Sequence, residues 1–492
     1  MVSNGSRSEI VGIMTDVSTR GRRHVIVIGA GLAGLVAARE VAQSDTHLRV
    51  TLLDGADRVG GKLRLAEVAG HQVDVGAEAM LALRPEAIDM VRDLGAGDDL
   101  VAPVTTSASI WSRGRLHPVP RATLMGVPGS PDGLAGLLAP DELARLEDEQ
   151  PWTEAVEPDV SVGSYIGARL GRAVVERLVE PLLGGVYAGR ADALSLRATM
   201  PAVWAAAVAG QSLTEAARRS APPPPAPGES RRPVFAGLRG GLGRLPGLLL
   251  ADLPDTVTVR TSTIVRGLER TVRGCRVLTG PTTHEEWIEA DAVILATPPT
   301  PAGRLLAAIS PEASTALAQI PSASSAVVTL AVPRAGLPDL PGSGFLVPSV
   351  DGHLIKGATF SANKWAWTGA LDPDLVHLRA SVGRAGDEAL LQRPDEDLVA
   401  ACVAEVGEAV RSALPSPVDG HVQRWGGGLP QYVVGHADRM TTIASAIAEV
   451  PGIQLAGAAY QGVGIPAVVA SGQAAAKAVV EHLEALGREW GA

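Results

Sequence analysis

The stretch Val25-Ile26-Val27-Ile28-Gly29-Ala30-Gly31-Leu32-Ala33-Gly34 decides the fold. Four successive apolar residues suit a strand buried on both faces. The glycines that follow mark a turn into a helix. Gly29 permits the tight bend, Gly31 lets backbone approach a pyrophosphate, and Gly34 lets the helix pack close to the strand. The helix, Leu35 to Ala42, offers its amino-terminal N–H groups and positive dipole end to phosphate. A second apolar run, Val50-Thr51-Leu52-Leu53, stops at Asp54, twenty positions after Gly34. A carboxylate there suits the hydroxyls of a ribose. Strand, glycine turn, helix, strand and acid in this order predict a dinucleotide site. A plain βαβ unit with Asp54 as a helix cap would leave the three glycines unexplained.

Working outward, Asp54 is followed by Gly55-Ala56-Asp57-Arg58-Val59-Gly60-Gly61-Lys62-Leu63, and then by Val73-Asp74-Val75-Gly76-Ala77-Glu78. The twin glycines shortly after the acid resemble those of flavoprotein oxidases of the monoamine oxidase type. The resemblance implies FAD as cofactor, with the glycine pair closing over its pyrophosphate and Lys62 near the flavin. Read without the resemblance, Gly60-Gly61 is an ordinary surface turn.

Composition narrows the remaining classes. A chain of 492 residues can form two or three domains. Its net charge of -10 argues against a nucleic-acid partner and gives no attraction to anionic lipid. Of 43 basic residues only Lys62, Lys356, Lys364 and Lys477 are lysine, a bias typical of GC-rich bacterial genomes. Cys275 and Cys402 are far apart in sequence, and no Cys/His cluster suggests a metal. The first 22 residues lack the apolar core of a secretory signal and read as a disordered lead, with Met14 as an alternative start. No apolar run reaches the roughly 20 residues of a membrane span. A cytoplasmic protein is expected, with peripheral membrane contact left open by a mean hydropathy of +0.17.

Along the chain, Ala66–Gly76 reads as an alternating strand, Arg84–Leu94 as a short helix and Ser109–Pro118 as a hairpin. Val160–Gly210 is mostly helical. Ala221-Pro222-Pro223-Pro224-Pro225-Ala226-Pro227-Gly228 cannot form helix or central strand and reads as a linker. Strands are expected at Val257–Val265, Cys275–Leu278, Ala292–Thr297, Val327–Val332, Gly344–Val347, Val376–Val382 and Gly452–Gly457. Helices are expected at Asp395–Leu414 and Ala467–Leu486. The expected fold is α/β and α+β, with a Rossmann-type FAD domain built from separated segments. The expected divisions are the lead (1–22), FAD segments (23–100, 231–300 and 426–492), a helical substrate domain (101–230) and a substrate sheet (301–425). Before the last helix, Gly462-Val463-Gly464-Ile465-Pro466 repeats the glycine-turn logic of the opening, with amides suited to pyrophosphate or to the pyrimidine end of a flavin.

More selective stretches follow. They are Glu180-Pro181-Leu182-Leu183-Gly184-Gly185-Val186-Tyr187-Ala188-Gly189, then Leu194 to Thr199, Gly342 to Pro348, Val382 to Asp387, and Arg424-Trp425 with Leu429-Pro430-Gln431-Tyr432-Val433-Val434-Gly435-His436 and Tyr460 to Gly472. Together they resemble the oxygen-dependent protoporphyrinogen/coproporphyrinogen III oxidases of heme synthesis, over about residues 23 to 485. The resemblance implies FAD contacts at Gly29, Ala30, Gly31, Leu32, Ala33 and Gly34, at Asp54, Gly55 and Lys62, at Gly76, Ala77, Glu78 and Ala79, at Val265 and Trp425, and at Val463, Gly464 and Ile465. It implies hydride transfer from a porphyrinogen bridge carbon to flavin N5, with dioxygen reoxidising the flavin to give peroxide in three rounds. Asp54 is shorter than the glutamate frequent in that family, and the proline-rich insert lies outside its pattern.

No nucleophile or paired carboxylate is recognisable, so no catalytic residue is assigned. A tetrapyrrole with carboxylates calls for an apolar slot edged by basic groups. Arg84 is the candidate for a propionate, against the plain alternative of a solvated helix-start arginine. His436 is expected to hold a loop by hydrogen bonds, Tyr187 and Tyr432 to pack, and Trp425 to stack near the isoalloxazine or simply fill core. Coproporphyrinogen III is the expected substrate and protoporphyrinogen IX the alternative, with another heme-pathway enzyme as a conceivable partner. Rival readings are a flavin amine oxidase, for which seven Phe and Tyr residues make an aromatic cage hard to furnish, a carotenoid desaturase, and a non-catalytic flavin-binding chaperone or heme-trafficking protein.

Overall fold

The computed structural model describes residues 22–120, 123–220 and 233–490. Residues 1–21 of the N-terminal lead, Met14 among them, and the proline-rich stretch 221–228 lie outside the described residues. The chain opens with β1 (His24–Ile28), α1 (Leu32–Ser44) and β2 (Arg49–Leu53). All five residues of β1 are buried, as a central parallel strand requires. A hairpin follows, β3 (Leu65–Val68) and β4 (His71–Asp74), and then α2 (Pro85–Asp93). The single alternating strand expected over Ala66–Gly76 is therefore two strands. Ala69 and Gly70 both take positive φ (51° and 80°), the geometry of a two-residue hairpin turn.

Next come the expected hairpin, β5 (Ser109–Ser112) and β6 (Arg115–Pro118), and a helical region that includes α3 (Val162–Leu170), α4 (Glu180–Tyr187) and α5 (Pro201–Val208). The chain continues through β7 (Val257–Arg260), a three-stranded antiparallel meander of β8 (Gly267–Thr271), β9 (Gly274–Thr279) and β10 (Glu286–Ala290), and β11 (Ala292–Leu295). β7 stops short of Val265. Ser262 takes positive φ, and the amides of Ser262 and Thr263 turn to the carbonyls of Ala56 and Asp54, so this segment wraps the acidic turn instead of extending the strand.

The later strands are β12 (Ser322–Pro333), β13 (Gly344–Leu346), β14 (Ile355–Thr359), β15 (Leu375–Val382), β16 (Asp419–Pro430) and β17 (Ile453–Leu455). The later helices are α6 (Asp395–Val410), α7 (His436–Ala448) and α8 (Ile465–Trp490). The expected helix to Leu414 ends earlier, at Val410, where Arg411 adopts the left-handed conformation. No helix of the described residues is long and apolar enough to cross a membrane.

Two sheets organise the molecule. The first is parallel, in the order β7-β2-β1-β11-β17, and gathers strands from both ends of the chain. α8 lies against α1 so closely that a Cβ on Gly472 would stand 2.6 Å from the carbonyl oxygen of Ala33. The second sheet has seven strands, β16-β12-β15-β14-β13-β5-β6, antiparallel except where β13 runs beside β5. The hairpin of residues 109–118, assigned from sequence to the helical stretch, thus sits at the edge of this sheet. One face of the sheet, with Val328, Leu330, Leu378 and Val382, packs on Leu398, Cys402 and Val406 of α6. The opposite face carries Thr329, Arg379, Ser381, His421, Gln423 and Trp425, which pair side by side across β12, β15 and β16.

Candidate functional site

The three glycines after β1 have three different surroundings. Gly29 has φ +104°, and an added Cβ would lie 2.6 Å from the carbonyl oxygen of Ala296. A Cβ on Gly34 would lie 1.7 Å from the carbonyl oxygen of Gly29. These two are glycine because the protein itself leaves no room. A Cβ on Gly31 would meet nothing within 4 Å. Gly31 is the N-cap of α1, makes no side-chain cap bond, and precedes a first turn without an acidic residue. The leading amides of α1 therefore open onto space, an arrangement that favours an anion.

The twin glycines close this cradle. Gly60 bridges Gly31 as a parallel pair, its amide donates to the carbonyl of Ala30 at 2.7 Å, and a Cβ on Gly61 would stand 3.2 Å from Gly31 Cα. Asp54 lies beside them. Its Oδ2 accepts from the Ala30 amide at 2.5 Å and its Oδ1 from the Ala56 amide at 2.7 Å. A carboxylate has about four acceptor positions, so room remains for a ribose hydroxyl. Gly55 faces Ile264, whose side chain is 63% exposed, and Val265 is half-buried against the core under the meander. The buried hydroxyl of Thr297, next to the Ala296 carbonyl that confines Gly29, has no partner. An open amide cradle, a carboxylate with spare acceptors and an orphaned hydroxyl fit a dinucleotide.

The second glycine turn arrives at the same sheet edge. β1 and β17 run parallel in one sheet, so the turns after them leave from one side, where ligands of open α/β sheets bind. Gly462 has φ +134°, a Cβ on Gly464 would touch only Pro466, at 3.9 Å, and Ile465 begins α8. Val463 packs against the helical core.

A third group joins the two sheets. The Nζ of Lys62 donates to the Gly428 carbonyl at 2.5 Å, and burial lowers its pKa. Trp425 Nε1 donates to the Val75 carbonyl at 3.3 Å, and a Cβ on Gly76 would lie 2.0 Å from the Lys62 carbonyl oxygen and 3.4 Å from the Trp425 ring. Lys62, Gly76 and Trp425, far apart in sequence, are neighbours. Ala77 is exposed and Ala79 half-buried.

Glu78, an FAD contact by the resemblance, takes part in a cluster of charges. Its carboxylate accepts from Lys364 at 2.8 Å, Arg379 at 3.0 Å and Ser361 at 2.9 Å. Burial pushes its pKa up, but Lys364 and Arg379 outweigh that and bring it down to about 2. Arg379 also donates to the Gly76 carbonyl at 2.5 Å. Glu78 is a tie between the loop after β4 and the seven-stranded sheet.

Arg84, the propionate candidate, is the N-cap of α2, and its guanidinium pairs with Glu86, with Nε 3.2 Å from Oε1, at a site where the arginine side chain is 45% exposed. This is the solvated helix-start arrangement. His436 also differs from expectation: both ring nitrogens are buried without a hydrogen-bond partner. It stacks on Tyr432 instead, with centroids 3.9 Å apart and 12° between planes. Burial, the largest effect, and the nearby charge of Arg439 hold it neutral, with a pKa of about 4.

Sequence reasoning missed the polar face of the second sheet. Arg379, Gln423 and His421 carry it, and Arg64 reaches Gln423 at 2.9 Å. The signal was present in β15, where His377, Arg379 and Ser381 alternate with Val376, Leu378, Ala380 and Val382. Among the described residues, no group of three or more His, Cys, Asp or Glu is placed to hold a metal.

Comparison with known proteins gives the family of the chain. Residues 32–480 match the family described as flavin containing amine oxidoreductase. A coproporphyrinogen III oxidase of Mycobacterium tuberculosis is 38% identical over 470 residues, 94% of this chain and 98% of that protein. The coproporphyrinogen III oxidase of Bacillus subtilis is 29% identical, over 94% of this chain and 99% of that protein. Among solved structures, an Exiguobacterium chain provisionally described as a protoporphyrinogen oxidase superposes with a TM-score of 0.80 at 32% identity, over 94% of this chain and 99% of that one. The amide cradle and its twin-glycine cover are thus set in a chain that belongs to the flavin-containing amine oxidoreductase family.

Proposed function

We propose that this chain is an FAD-dependent coproporphyrinogen III oxidase. The observation that carries the reading is the empty space over Gly31, roofed by Gly60 and Gly61, in a chain whose relatives of that name match it over nearly its whole length. In this reading the α1 amides and the twin glycines hold the pyrophosphate, Asp54 the ribose, and Lys62, Gly76 and Trp425 flank the isoalloxazine. Val463 to Ile465 approach it from the start of α8. A bound flavin supplies a hydride acceptor, and dioxygen restores it.

The protein's own part is to orient substrate and exclude water. Gly185 and Val186 of α4 are exposed, and a Cβ on Gly185 would touch the Leu346 side chain of β13 at 3.6 Å. α4 and the facing side of the second sheet are therefore assigned as walls of the slot for the macrocycle, α4 giving the apolar wall and the sheet the polar one. Arg64 accounts for the basic edge better than Arg84 does, because its recorded side-chain partner is the neutral Gln423. Purified, FAD-loaded protein should oxidise coproporphyrinogen III faster than protoporphyrinogen IX in initial-rate assays. Equal or reversed rates would replace the substrate assignment by the two-carboxylate alternative.

A further inference from the structure

Tyr432 makes contacts that no packing role requires. Its hydroxyl donates to the Ala458 carbonyl at 2.7 Å and accepts from the Gly462 amide at 2.8 Å. One phenol oxygen thus closes the loop between β17 and α8 across its own width. The ring is held from two sides. His436 stacks on it, and Tyr187 of α4 lies with its centroid 5.5 Å away. The backbone around it is fixed as well: the Ser195 amide donates to the Tyr432 carbonyl at 2.8 Å, and Gln431 donates to the Tyr187 carbonyl at 2.6 Å.

Both loop groups need the hydroxyl. Gly462 has φ +134°, a conformation with no regular ladder or helix partner for its amide, and α8 begins three residues later. The loop's other anchor is the Gly457 amide, which donates to Ser471 Oγ at 3.0 Å, within α8 itself. Tyr432 therefore hydrogen-bonds this loop, whose Val463 also packs on the helical core, to the part of the molecule that carries α4.

We propose that Tyr432 is a positioning residue for the flavin: its hydroxyl sets the Val463–Ile465 backbone against the cofactor and ties that backbone to the slot wall of α4. This rests on the cofactor reading above. Its neighbour His436, whose neutral ring makes no hydrogen bond, serves as the flat wall that keeps the phenol in place and dry. Pre-ordering of a loop by two hydrogen bonds is lost when the hydroxyl is removed and the ring kept.

The test is Tyr432→Phe, read by FAD affinity of the apoprotein, the midpoint potential of the bound flavin, and melting of the FAD-free protein. The expected result is FAD binding weakened about five- to tenfold and a shifted potential, alongside the lower apoprotein melting that the loss of two hydrogen bonds itself brings. Unchanged affinity and potential would overturn the proposal. So would a lower apoprotein melting with the flavin potential unshifted, which a merely structural tyrosine would give. A measurement on the unaltered chain covers a variant that does not fold: in the FAD-free protein the Gly462 amide should exchange slowly with deuterium, and free exchange there would overturn the proposal. Parent protein that takes up no FAD would instead refute the cofactor reading.

Discussion

Glu78, on the loop after β4, and Arg379, on β15 of the seven-stranded sheet, form an ion pair at 3.0 Å, with side chains 11% and 12% exposed. Lys364 completes the cluster at 2.8 Å from the other carboxylate oxygen. The pair joins the segment that passes Gly76 to the sheet that bears Trp425, so the relative position of the two depends on it.

Removing the carboxylate leaves two buried cations uncompensated. Glu78→Gln should cost about 3–5 kcal/mol. The folded pKa near 2 lies below the ordinary 4.5, so the stabilisation is complete above about pH 4.5 and is lost as the pH falls toward 2. Denaturant melts should show a gap between parent and variant that is full at pH 7 and shrinks below pH 4. A gap that does not change with pH would contradict the ion-pair account.

The glycines of the first turn should separate binding from folding. Gly31→Ala places a methyl group in open space and should leave FAD-free melting within about 0.5 kcal/mol of the parent, while FAD affinity falls at least about tenfold. Gly29→Ala, with φ +104° and a carbonyl oxygen 2.6 Å from the new carbon, should destabilise the FAD-free protein itself. Calorimetry and FAD titration of both variants decide it. Equal effects on folding would remove the argument from the open cradle.

Lys356 is a buried cation whose ammonium donates to the Gly383 carbonyl at 3.0 Å. Burial, with the charge of Arg384, lowers its pKa to about 8. A base depressed in this way disfavours the fold while it stays charged, below about pH 8, and the penalty fades as the pH rises toward 10.5. Lys356→Met should therefore stabilise the protein by about 1–3 kcal/mol at pH 7, and most of the gain should be gone by pH 10. Urea melts at the two values check it.

What could be read from the sequence was local. β1, the glycine turn, α1, β2 and Asp54 lie within about thirty consecutive residues, and each glycine's role follows from the turn it serves. The strand from Ala66 failed because Ala69, an unremarkable residue for a strand, adopts a hairpin conformation in its tertiary setting. Arg84 pairs with Glu86, two residues away on the surface, the solvated helix-start arrangement that the sequence offered beside the propionate role. The Glu78 tie and the Tyr432 clamp join residues separated by 301 and 30 positions, so neither leaves a periodic mark. The polar face of the second sheet left a partial one, the alternation of β15, whose meaning depends on which face meets the first sheet.

Anaerobic mixing of the FAD-loaded protein with coproporphyrinogen III, followed by flavin absorbance, tests the central claim most directly. The account predicts that the oxidised-flavin band bleaches on mixing, that coproporphyrin forms once dioxygen is admitted for the remaining rounds, and that simple primary amines leave the band unchanged. A band that persists in excess coproporphyrinogen III, or one that bleaches with an amine instead, would contradict it.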